Sequence, residues 1–292
     1  MIEEFLTYLR YEKNRSEKTV EAYGDDLRAF ETYFENLEGQ LSWESVDSDV
    51  IRGWMESMMD RGNAATSVNR RLSAVRSLYR FALSRQLVGR DPSVVVVGPK
   101  KEKVLPQFVR EKDMDRLLDD MEWGDDYNDV LTRTLLILLY ETGMRLAELV
   151  GLNDVDVDFS TRQLKVTGKR NKQRIIPFGE ELSEELRRYM EKRDSEVERT
   201  NDALLVTKKG QRVSREFVYK HVKDGLSRVT SMKKRSPHVL RHSFATAMLN
   251  NEAGLESIRK LLGHESVATT EIYTHTTFEQ LKKEYSKAHP RA

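Results

Sequence analysis

Along residues 16–84, apolar positions recur at intervals of three and four, the spacing of helices with one buried face. Val20, Tyr23, Leu27, Phe30 and Phe34 line the first stripe, and Ser16 stands where a helix cap belongs. Val50, Ile51, Trp54, Met55 and Met58 turn inward on a second helix over Ser48–Arg61. A third runs from about Ala65 to Ser84 on Val68, Leu72, Val75, Leu78, Tyr79 and Phe81. The pattern then stops. Gly89, Asp91-Pro92, Gly98-Pro99 and the charged run to Pro106 read as an extended linker punctuated by turns. Val94–Val97 alone would suit an edge strand, but prolines flank it.

Periodicity resumes with a helix around Glu111–Met121 and a buried one, Asn128–Glu141, carrying Leu131, Leu135, Leu138 and Leu139. Thr142-Gly143 breaks it, and Arg145–Val150 opens the next. Alternation over Val155–Phe159, Gln163–Val166 and Gln173–Pro177, with turns at Ser160-Thr161 and Gly168–Lys172, predicts a small sheet. Helices follow at 179–194, 214–228, 237–250, 254–262 and 278–288. The expected fold is mainly α and two-domain: an all-helical N-terminal domain over 1–90, a linker over 91–106, and an α+β domain with a small antiparallel sheet over 107–292.

Composition adds a compartment. There are no cysteines, which removes disulfides and thiolate metal sites. The first residues lack the plan of a signal peptide, and the apolar run Leu135–Tyr140 is too short to span a bilayer. A soluble cytoplasmic protein is expected. The net charge of +1 conceals a segregated pattern. Residues 66–90 hold Arg70, Arg71, Arg76, Arg80, Arg85 and Arg90 and no acid. Residues 208–241 are rich in lysine and arginine, Arg215, Lys220 and Lys234 among them, against only Glu216 and Asp224. Solvated helix faces explain most such runs. Basic runs in both halves point instead to basic faces that meet nucleic acid, with Arg70, Arg71, Arg76 and Arg80 lying largely off the third helix's apolar stripe.

The second half also carries a set of residues suited to one task. Arg145 lies in TGMRLAEL (142–149), Lys169 in GKRNKQR (168–174), His238 and Arg241 in HVLRHSFAT (238–246), His264 in LGH (262–264) and Tyr273 in TTEIYTH (269–275). Transesterification of a phosphodiester needs cations on the non-bridging oxygens, a nucleophile, and groups that take and give protons. Arginine suits the first need because its planar fork pairs with phosphate. Arg145 follows the break at Gly143, and Glu148, three residues on, shares its helix face. His238 follows the helix start Ser236-Pro237 and stands one turn before Arg241. His238 and His242 have i, i+4 spacing, but no HExxH pattern or nearby carboxylate accompanies them, so no metal site is expected and His242 is read as a supporting residue.

In order, spacing and motif context, the chain resembles the tyrosine site-specific recombinases, closest to the Xer chromosome-dimer resolvases, from about residue 1 to its C-terminus. That resemblance implies a SAM-like N-terminal DNA-binding domain and a catalytic domain in which Arg145, Lys169, His238, Arg241, His264 and Tyr273 act together. Tyr273 is the nucleophile and forms a 3′-phosphotyrosine. Lys169 protonates the departing 5′-oxygen, with Lys172 its competitor in the same loop. His238 helps accept the tyrosine proton, and His264 donates to a non-bridging oxygen. Glu148 is implied as support for Arg145, and Arg170, Lys172 and Arg174 as DNA contacts. Bond energy is conserved, so neither ATP nor a metal ion is needed, and no cofactor is expected. The implied partner is double-stranded DNA with a short inverted-repeat site. Four protomers, identical or of two kinds, would be coupled through the C-terminal helix around Phe278, Leu281 and Tyr285, which read alone could equally cap its own domain, and a septal DNA translocase is a further candidate partner. Three other readings share part of this picture. An integrase or transposase of a mobile element uses the same chemistry, but the compact N-terminal part favours Xer. A type IB topoisomerase is disfavoured by the small helical domain. A non-catalytic DNA-binding protein is disfavoured because all six positions are present.

Overall fold

The computed structural model describes residues 1–39, 42–101, 107–168, 171–263 and 275–292. The chain divides into two compact units, Met1–Val104 and Leu105–Ala292.

The regular elements described in the first unit are all helices. Helix α1 (Ile2–Thr7) runs on into a π-helical turn, Tyr8–Glu12, and is followed by α2 (Glu17–Glu38), α3 (Ser48–Asp60) and α4 (Ala65–Ser84). The stripe expected on α4 is its buried face: Val68, Leu72, Val75, Leu78, Tyr79 and Phe81 all lie in the core, with Phe5, Leu27, Phe30 and Ile51 opposite. Phe30 and Trp54 meet edge to face at 4.9 Å. Ser16 is the N-cap of α2, but its hydroxyl meets Thr19 Oγ1 at 2.9 Å and makes no capping bond to backbone. Asp47 does cap α3, accepting from Asp49 N at 2.8 Å and Val50 N at 2.9 Å. The start of the expected linker folds back on this unit. Val96 is fully buried, Arg76 donates to its carbonyl, and Asn69 Nδ2 donates to Pro99 O at 2.8 Å.

The second unit is built on α6 (Tyr127–Thr142), which is buried along almost its whole length and packs against α8, α9 and α10. Asp126 caps it, accepting from Asn128 N at 2.8 Å. Short α5 (Glu111–Asp115) precedes it and α7 (Leu146–Gly151) follows. Strands β1 (Val157–Asp158), β2 (Gln163–Thr167) and β3 (Gln173–Pro177) form an antiparallel sheet in that order. The strand expected over Val155–Phe159 pairs only at 157–158. Asn153 and Asp156 close a capping box that turns Asp154–Asp156 into a 3₁₀ turn and leaves Val155 86% exposed. Helices α8 (Glu180–Glu196), α9 (Arg215–Ser227), α10 (Pro237–Asn250), α11 (Leu255–Leu262) and α12 (His275–Ala288) complete the unit.

The end of α12 is bound into its own unit. Tyr285, Ala288 and His289 are buried, and the His289 ring stacks on Tyr285 at 5.3 Å and Phe244 at 5.4 Å. Arg291 pairs with Glu181, Asp119 and Asp115. Glu141 lies beneath, fully buried, accepting from Gly179 N and Tyr285 Oη at 3.4 Å each. Burial first, and then the charge of Glu181, push its carboxyl up to about 8. The folded state therefore keeps a proton that the unfolded chain releases near the ordinary value of 4.5, and stability falls as pH rises between that value and about 8. His289 has the opposite dependence: burial holds it neutral down to about 3, so its contribution is lost as pH falls below 6.5. Glu141→Gln is expected to remove the alkaline loss, at most ~1.4 kcal/mol per pH unit, and to keep the acid limb. Melting curves from pH 5 to 9 check this. Parallel profiles for variant and parent would mean Glu141 is ionised in the fold.

Candidate active site

The site begins where α6 ends. Gly143 takes a left-handed conformation, φ 56°, and donates to Leu139 O at 3.1 Å, closing the helix. A Cβ there would stand 2.4 Å from Phe244 Cδ1, so the bare backbone is what lets α10 approach. Arg241, one turn before Phe244, then donates from Nη1 to Gly143 O at 2.6 Å and from Nη2 to Leu262 O at 2.7 Å.

Two residues further on, Arg145 is the extended N-cap of α7. Glu148, 2% exposed, accepts from Arg145 N at 2.7 Å and from its Nη1 at 2.9 Å. Arg145 Nη2 donates to Gly263 O at 2.6 Å. From β3, Arg174 grips the other side of the same carboxylate, Nη1 to Oε1 at 2.7 Å and Nη2 to Oε2 at 2.9 Å, and its Nε donates to Leu261 O at 2.9 Å. Three arginines thus take three successive carbonyls, Leu261, Leu262 and Gly263, at the C-terminal end of α11. These are the acceptors a helix leaves unsatisfied, at the negative end of its dipole.

The electrostatics are those of a site built for an anion. Burial first, then Arg145 and Arg174, lower Arg241 to about 10. Burial opposes the charge on Glu148, but hydrogen bonds and attraction from Arg174 and Arg145 outweigh it and hold the carboxyl below its usual range.

The structure places the other residues singled out in the sequence as follows. His238 is exposed on the first turn of α10, three residues before Arg241. His242 is half-buried, its ring edge-on to Phe108 at 6.5 Å. Lys169, Arg170, His264 and Tyr273 lie outside the described residues. Their described neighbours reach the cluster: Gly168 comes so close to Glu148 that a Cβ would be 3.2 Å from Oε1, and Gly263 supplies the carbonyl to Arg145. Among the described residues no group of acidic or histidine side chains could hold a metal ion.

The basic residues divide into two kinds. Arg70, Arg80, Lys172, Arg215, Lys220 and Lys234 are exposed. Arg71, Arg76 and Arg174 lie deeper against their own unit. Arg70 forms an ion pair with buried Asp26, and Arg71 approaches the same carboxylate at 3.5 Å. Arg76 holds the Val96 and Ser93 carbonyls. Arg174, expected among DNA contacts, is 8% exposed and lies behind Arg145. Sequence reading missed Asp26 and the role of the α11 terminus. The first has no pattern signal. The second was signalled by Gly263, the left-handed C-cap of α11.

An arginine pair beside a helix-borne histidine is the equipment of an enzyme that handles phosphodiesters, here on a helical unit carrying a small sheet. Residues 107–280 match the model of the phage integrase family, and residues 2–86 that of the phage integrase N-terminal SAM-like domain. A tyrosine recombinase XerC from Chlorobaculum tepidum is 38% identical over 315 residues, covering 99% of this chain and 94% of that protein. A tyrosine recombinase XerD from Oceanobacillus iheyensis is 34% identical, covering 100% and 98%. The crystal structure of XerH recombinase on a palindromic difH substrate, a post-cleavage complex, has the same fold, with TM-score 0.72 at 20% identity over 98% of this chain and 84% of that one. The chain belongs to the phage integrase family and is a tyrosine-type site-specific DNA recombinase. No described helix is long and apolar enough to cross a membrane.

Proposed function

We propose that this recombinase cuts and rejoins DNA at a short inverted-repeat site through a 3′-phosphotyrosine, and that it resolves chromosome dimers in the cytoplasm at a dif-like sequence. The observation that carries the reading is the convergence of Arg145, Arg174 and Arg241 on one helix end, the first two sharing one buried carboxylate. Arg145 and Arg241 hold the non-bridging oxygens of the scissile phosphate. His238, one turn from Arg241, takes the Tyr273 proton. Tyr273 attacks phosphorus, Lys169 protonates the leaving 5′-oxygen, and His264 donates to the phosphate. The phosphotyrosine ester conserves the energy of the broken bond, so rejoining needs no nucleotide or metal. Full-length likeness to XerC and XerD proteins supports the chromosomal role over a mobile-element one.

Two protomers bind each site, two sites pair in a tetramer, and strands exchange through a Holliday junction, with a septal DNA translocase as activator. The C-terminal helix couples protomers. To do so its end must leave the place it fills in its own unit, where Tyr285 and His289 are buried and Arg291 pairs with Glu181, Asp119 and Asp115. On the DNA side, Arg80, Lys172, Arg215, Lys220 and Lys234 contact phosphates directly, with Arg170 from the same hairpin as Lys172. Arg70, Arg71 and Arg76 do so only by loosening the contacts they make now.

Covalent trapping tests the reading. Protein is incubated in EDTA with nicked duplexes carrying candidate sites, so that a cleaved strand end diffuses away, and the products are separated on denaturing gels. A protein–DNA adduct in EDTA is expected. Specific binding with no adduct, with or without a paralogue present, would count against catalysis by this chain.

A further inference from the structure

We propose that Arg174 is a positioning residue for the phosphate clamp. It takes up the charge of Glu148 so that Arg145 stays fully cationic toward DNA, and it fixes the end of α11 on which Arg145 and Arg241 rest. The proposal builds on the reading that Arg145 and Arg241 bind the scissile phosphate.

Three observations carry it. First, Arg174 is in no position to contact DNA. Its side chain is 8% exposed, and Nε, Nη1 and Nη2 are all engaged, at 2.9, 2.7 and 2.9 Å. Second, Glu148 is saturated. Oε1 accepts from Arg145 Nη1 and Arg174 Nη1, and Oε2 accepts from Arg145 N and Arg174 Nη2, which fills the lone pairs of a carboxylate. Without Arg174 this buried anion would face Arg145 alone and cancel it. One carboxylate among three guanidiniums leaves two positive charges; among two it leaves one. The phosphorane that forms as tyrosine attacks carries more negative charge on its non-bridging oxygens than the diester does, so the loss falls on the transition state. Third, the surroundings leave room for this one side chain. A Cβ on Gly263 would stand 3.1 Å from Arg174 Nη1 and 3.2 Å from its Cδ and Cζ.

The charge argument supplies a test that a purely structural role would not pass. A methylphosphonate at the scissile position replaces one charged oxygen by methyl and so needs one cation less. Single-turnover adduct formation is measured for the parent, Arg174→Met, Arg174→Lys and Arg145→Ala on both the diester and the methylphosphonate duplex. The ratio of the two rates is independent of how much of a variant is folded. Arg174→Met is expected to bind DNA as the parent does and to cleave the diester on the order of 10–100-fold more slowly, by analogy with the cost of losing a partner that orients a metal ligand. Most of that loss should vanish on the methylphosphonate. Arg174→Lys, which keeps the charge but not the fork, should recover part of the diester rate. Equal loss on both substrates, or no loss, while Arg145→Ala is impaired on the diester, would overturn the assignment of Arg174 alone. An unimpaired Arg145→Ala would overturn the phosphate-clamp reading and this proposal with it.

Discussion

Tyr273→Phe is expected to bind recombination-site DNA with unchanged affinity and to form no covalent adduct. The substitution removes one oxygen and keeps the ring, so packing is little altered. Affinity for duplex DNA comes mainly from lysine and arginine on phosphates, to which a neutral phenol adds little. Chemistry depends on that oxygen entirely, because no bond to phosphorus forms without it. A free tyrosine ionises near ~10, so the attack at neutral pH draws on the cations around the phosphate and on a nearby base. The variant keeps those groups and tests the nucleophile alone. Native gels measure binding and denaturing gels the adduct. Nicked DNA without an adduct would mean water attacks a phosphate the cluster still activates. An adduct that persists, mapped to another residue by peptide sequencing, would sink the assignment.

The second large effect is expected at Arg241. Arg241→Ala should slow adduct formation about 10²–10³-fold, the cost of removing one preorganised donor to a developing oxyanion. DNA affinity should change little, since one phosphate contact among many is lost. Arg241 carries its charge against burial and against Arg145 and Arg174. Holding a cation in such a place costs free energy that a bound phosphate returns, and this places the interaction where charge develops. Arg241→Lys should fall between parent and Ala, because it keeps a charge but loses the fork that reaches Gly143 O and Leu262 O. Single-turnover rates check the order. A near-parental rate for Ala would leave Arg241 a structural role only.

Much of the helical architecture was legible in apolar spacing. The α4 stripe and the buried α6 were expected at nearly their observed positions, because each buries a face wide enough to impose its period. The sheet was less so: β1 shrinks to two residues because a local capping box competes with pairing. The motifs located Arg145, His238 and Arg241, and the structure brings the two arginines to one place. Arg174 was misplaced for an instructive reason. Its neighbours in GKRNKQR suggest a solvated hairpin, yet it pairs in register with buried Val166 and shares the inward face of β3 with Ile176. Counting by two from Ile176 would have turned it inward. The ion pairs of Arg70 and Arg71 with Asp26 were out of reach, because a contact between distant helices leaves no trace in the period of either.

The hold of three arginines on Leu261, Leu262 and Gly263 is made to backbone oxygens, which every amino acid possesses. The side chains at 261 and 262 can therefore drift under mutation without removing an acceptor from the active site. The restriction falls instead on Gly143 and Gly263. Their left-handed backbones aim the carbonyls, and any side chain there would strike Phe244 or crowd Arg174. In this enzyme, two of the positions least tolerant of change near the chemistry are residues that contribute no functional group to it.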